Sequence, residues 1–184
     1  MKTIKILSLL MFVAVTFTAC SDDDETPEEI NEEETITTMT VTLVPDGGGA
    51  TIILQSQDLD GDGPNAPDVT VSGNLAANTA YSGSVVLLNE TETPAENITE
   101  EVEEESDEHQ FFYVTTGSIA SVTYDDTDAD GNPVGLEFTL TTADAGSATM
   151  AVTLRHQPKK PNDGTLADAG GETDITQTFN LTVE

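Results

Sequence analysis

Positive charge is nearly absent from this sequence: Lys and Arg number 5 against 35 Asp and Glu in 184 residues, a formal net charge of -30. Such a chain repels phosphate backbones instead of gaining from counterion release, which excludes nucleic acid as a partner. Trp is absent and aromatics make up 5% of the residues, so no aromatic-rich recognition surface is expected. With a single cysteine, no disulfide can form within the chain. The sequence has no G-x-S-x-G, no H-E-x-x-H and no glycine-rich phosphate cradle. Its carboxylates lie in runs where solvent leaves them unmatched for acid and base roles, and the expectation is a protein that is not an enzyme.

The apolar residues present fall into two kinds of segment. Near the N-terminus, Lys2 and Lys5 precede ILSLLMFVAVTF, a run too short to span a bilayer, followed by Thr18, Ala19 and Cys20. A positive region, a short apolar core and a cysteine after small residues read as a lipoprotein signal peptide over residues 1–19 with Cys20 as the lipidated residue. Each buried acyl methylene adds about 0.8 kcal/mol, so two or three chains on Cys20 would hold the protein to a membrane. Residues 20–34 are dominated by Asp and Glu, with one Pro, one Asn and a single Ile. They cannot bury enough apolar area to offset their ordering entropy and are expected to be an acidic tether.

SDDDE, directly after Cys20, resembles the export signal of Bacteroidota-type surface lipoproteins. NETETPAENITEEVEEESDEHQFFY and VTLRHQP resemble a small family of such lipoproteins labelled "type 1 periplasmic binding fold superfamily protein", a likeness over most of residues 35–184. The resemblance implies an outer-membrane, cell-surface location, ligand capture, and service beside an outer-membrane uptake receptor.

The second kind of apolar segment is short and alternating. Strands are expected over residues 35–44, 50–57, 69–75, 79–90, 109–116, 120–125, 134–142, 148–157 and 173–183, the first two joined through PDGGG as a hairpin. Regular spacing and turn-rich connections point to an all-β fold, an immunoglobulin-like Greek-key β-sandwich over residues 35–184, and a monomer is expected. One segment departs from this pattern. Thr93 and Glu96 have capping-box spacing, Pro94 suits a first helical position, and Ala95, Ile98 and Val102 share a stripe. An acidic crossover helix is expected from Pro94 to Glu108.

Ligand chemistry is sought among the two histidines and the acidic loops. Glu105 and His109 stand one helical turn apart, where a carboxylate and an imidazole can chelate one metal. Alternation in ATMAVTLRHQ puts His156 on the inward side of a strand end. If the fold brings His109, His156 and Glu105 together, the set suits zinc, copper or another first-row metal. Haem ligated by both histidines is a second reading. A structural or adhesive role is a third. DLDGDG (Asp58, Asp60, Asp62) and DTDADG (Asp126, Asp128, Asp130, with Glu137 at the twelfth position) carry the D-x-D-x-D-G spacing of calcium loops. Without flanking helices, an Asx-rich turn explains them equally well.

Overall fold

The structure is a computed structural model that describes residues 34–61 and 63–184. The expected signal peptide, Cys20, the tether up to residue 33, and Asp62 lie outside the described residues. The alternating segments form strands β1 (Thr38–Pro45), β2 (Ile52–Gln57), β3 (Asp68–Val71), β4 (Ala80–Leu88), β5 (His109–Gly117), β6 (Ile119–Tyr124), β7 (Glu137–Thr142), β8 (Gly146–His156) and β9 (Glu172–Val183). Two helices, α1 (Ile98–Glu104) and α2 (Leu166–Ala169), interrupt them. In β1, Met39, Val41 and Leu43 are fully buried while Thr40 and Thr42 are only half-buried, the period of two that one covered sheet face produces.

One sheet has the order β3-β2-β1-β4-β7-β6, the other β5-β8-β9, and every ladder within them is antiparallel. The all-β sandwich expected from alternation is the fold of the chain. Seven of its strands, β1-β4-β7-β6 against β5-β8-β9, follow the four-plus-three Greek-key connectivity of immunoglobulin constant-type domains. The β2–β3 hairpin extends the larger sheet beyond β1. Leu43, Leu87 and Phe138 from the larger sheet and Phe111, Met150 and Phe179 from the smaller one belong to a single buried core.

The helix differs from its expected span. Asn89 and Glu96 exchange two backbone hydrogen bonds of 3.0 Å, which spends the Glu96 amide and carbonyl on a bridge. Thr93 and Glu96 therefore form no capping box, and α1 starts at Ile98 after an Asn97 whose side chain caps nothing. It stops at Glu104 because residues 105–108 turn, with the Glu108 amide on the Glu105 carbonyl at 2.8 Å. Ile98 and Val102 do form its buried stripe.

Five strand ends meet at one end of the sandwich. β1 and β9 begin there, β4 and β8 finish there, and β5 opens there with His109. Gly171 lets the β8–β9 connection close tightly at this end: its φ is 69°, and a Cβ would lie 2.3 Å from the His156 carbonyl oxygen.

Candidate metal centre

His109 and His156 are directly paired residues of adjacent strands, the first of β5 opposite the last of β8. They converge within one sheet, not across the sandwich. Their rings lie on the inward face with centroids 4.6 Å apart, His109 fully buried and His156 5% exposed. A porphyrin plane cannot enter between rings this close, so the haem reading is set aside on geometry.

Glu105 does not supply the expected carboxylate. Because α1 ends before it, Glu105 and His109 share no helical face; its side chain is exposed and its backbone carbonyl lies 3.2 Å from His109 Nδ1. The acidic partners are two residues that spacing did not suggest. Glu34, assigned from composition to the tether, places Oε1 3.1 Å from His109 Nε2 and Oε2 3.8 Å from His156 Nδ1. Asp174 lies 4.0 Å from both His109 Nε2 and His156 Nδ1. A register shift explains how Asp174 reaches them. Leu154 pairs with Ile175 but Arg155 pairs with Thr173, so Asp174 is the extra residue of a β-bulge. Strict alternation from Ile175 would turn Asp174 to the outer face; the bulge re-aims it toward the histidines.

One donor atom from each of Glu34, His109, His156 and Asp174 lies within 4.8 Å of the other three, and this group could hold a metal ion. A four-coordinate zinc with bonds of about 2.0–2.1 Å sets its ligand atoms about 3.3 Å apart, so closing on an ion asks for shifts of under about 1 Å. The tautomers suit ligation. A carbonyl only accepts, so the tautomer in which His109 Nδ1 donates to Glu105 is the one that leaves the Nε2 lone pair facing Glu34. In that tautomer Nε2 and Glu34 Oε1, 3.1 Å apart, both offer lone pairs to a bound cation. His156 turns Nε2 toward the Glu108 carboxylate, 3.7 Å away, and points Nδ1 inward. Both Glu34 Oε2 and His156 Nδ1 are buried without a hydrogen bond.

Negative charge accumulates around this group. The Glu101 carboxyl is raised above its ordinary value by burial first, then by the charges of Glu96, Glu34, Glu105 and Glu104. Along α1 and its following turn, Glu100, Glu103, Glu104 and Glu105 are exposed.

The D-x-D-x-D-G loops spend their carboxylates elsewhere. Asp126 accepts from the Gly135, Leu136 and Glu137 amides at 2.6, 2.8 and 3.1 Å. Asp128 accepts from the Asp130 and Asn132 amides at 3.0 and 2.8 Å and pairs with Lys160 Nζ at 3.2 Å. Asp130 is exposed, and Glu137 points outward from β7. With these lone pairs occupied, the second loop is a braced turn and not the calcium cage its spacing suggested. Burial pushes the Asp128 carboxyl up, but the Asn132 amide and side chain and Lys160 outweigh it and hold it below the ordinary value. In the first loop Asp58 accepts from the Asp60 amide and Asp60 accepts from Asn65 Nδ2 at 2.6 Å, again an Asx turn. Among the described residues, the acidic loops form no second group of metal-ligand geometry.

The aromatic run also has a structural role. Phe111 and Phe112 are both buried, and no platform for a sugar or peptide is left there. No family model matches the chain, and comparisons with curated proteins and with solved structures find no match.

Proposed function

We propose that this protein is a lipid-anchored surface β-sandwich that binds a first-row divalent metal, zinc before calcium, through Glu34, His109, His156 and Asp174. The observation that carries the reading is the pair of imidazole nitrogens turned inward beside two carboxylates, with His156 Nδ1 and Glu34 Oε2 buried and lacking any hydrogen bond. Two nitrogen and two oxygen donors suit zinc and its first-row neighbours, whereas calcium takes six to eight oxygens. The exposed carboxylates of α1 and its following turn raise the local cation concentration within a Debye length of about 8 Å at physiological salt. Collection would then be general and selection would fall to the imidazoles. Anchoring through Cys20 and work beside an outer-membrane receptor follow from the N-terminal sequence and the family resemblance.

The test is elemental analysis after dialysis against mixed divalent ions. Wild type should retain a stoichiometric first-row metal, and the His109→Ala, His156→Ala double variant should retain none. Equal metal content in the two would overturn the reading.

A further inference from the structure

Three of the four donors are fixed by strand ladders: His109 in β5, His156 in β8 and Asp174 in the β9 bulge. Glu34 is different, because it precedes the start of β1 in the larger sheet and reaches the histidines of the smaller one. The nearest firm attachment of its backbone is Thr37. There the amide and Oγ1 both donate to the Leu88 carbonyl, at 3.0 and 3.1 Å, and the carbonyl accepts from the Asp58 amide at 2.7 Å. Between these points Thr35 is exposed, and Ile36 packs at the margin of the core.

The Glu34 side chain is buried together with the histidines: it is 7% exposed, His109 is fully buried and His156 nearly so. Glu34 and Asp174 place two carboxylates in a group less than 5 Å across, and a cation bound among them would favour the seated position of Glu34.

We infer that residues 34–37 are a metal-operated strap, in which Glu34 is the last ligand to close over an ion held by His109, His156 and Asp174, with Thr37 as its hinge. The inference rests on the metal-site reading and adds its regulation. Seating ties Glu34 to the smaller sheet; release frees residues 34–36 as far as Thr37.

Hydrogen exchange on the purified full-length chain, with zinc and with chelator, tests this together with the rate of zinc transfer to a chromogenic chelator. Zinc should slow exchange across residues 34–37 of wild type. The Glu34→Ala variant should still bind zinc, release it at least about tenfold faster, and show no zinc-dependent protection of that segment. Zinc binding to wild type with unchanged exchange at residues 34–37, or equal release rates from the two proteins, overturns the strap while leaving the site standing. A wild type that takes up no zinc overturns the site itself. Glu34→Asp, one methylene shorter, should release zinc at an intermediate rate, which simple loss of folding would not produce.

Discussion

Replacing His109 with Ala should remove most of the thermal stabilisation that zinc confers. A ligand bound only by the folded state at one hundred times its Kd stabilises by about 2.7 kcal/mol. The described sandwich runs from Glu34 to Glu184, and for a domain of roughly 150–250 residues each kcal/mol moves Tm by about 2–4 °C, so wild type should gain about 5–11 °C. Removing one of four donors leaves a three-ligand site. If affinity falls a hundredfold, the same zinc concentration equals the new Kd, and the gain shrinks to about 0.4 kcal/mol, under about 2 °C. The metal-free baseline will fall as well, because His109 is fully buried against His156. The diagnostic quantity is therefore the zinc-induced shift within each protein, followed by differential scanning calorimetry at pH 8 with zinc and with chelator. Equal shifts in wild type and variant would refute the assignment of His109 as a ligand.

Acidification should weaken the same shift, since protons compete with the metal for imidazole nitrogen; isothermal titration from pH 5 to 8 checks it. Asp128→Asn should cost about 1.5–3 kcal/mol by chemical denaturation, because it leaves Lys160, whose side chain is 6% exposed, without its anion. Since the folded Asp128 carboxyl is lowered, its contribution is fully present above the ordinary value of 3.8 and is lost as pH falls through the folded value; the variant's stability should vary less with pH over that acid range. Calcium should leave the melting curve of wild type unchanged, and a calcium-induced rise that Asp128→Ala abolishes would restore the loop reading. Cys20→Ala should move the protein from the membrane fraction to the soluble one, and variant protein that stays membrane-bound would refute lipidation.

The strands were legible because one covered face imposes alternation on β1, β2, β4 and β7; β5, expected over residues 109–116, runs from His109 to Gly117. His109 and His156 were identifiable from rarity and position, as the two histidines of an acidic chain, each at a strand end on the inward side. Their pairing was not readable, because β5 and β8 are joined through β6 and β7 and no local turn fixes the register. Glu34 gave no signal separating it from Glu32 and Glu33, since its role depends on where the other sheet's strand ends lie. Asp174 was hidden for another reason: alternation assigns it the outer face, and the bulge that reverses this comes from a one-residue slip between β8 and β9. The calcium spacing misled because nearby backbone amides can satisfy such carboxylates, those of Gly135, Leu136 and Glu137 for Asp126 and those of Asp130 and Asn132 for Asp128. The helix boundary was lost to the Asn89–Glu96 bridge, a contact between segments that capping rules do not consider.

X-ray absorption spectroscopy of the zinc-loaded protein tests the central claim most directly. The account predicts a first shell of nitrogen and oxygen at about 2.0–2.1 Å with outer-shell scattering from two imidazole rings. A shell without imidazole scattering, or protein that carries no zinc into the beam, would contradict it.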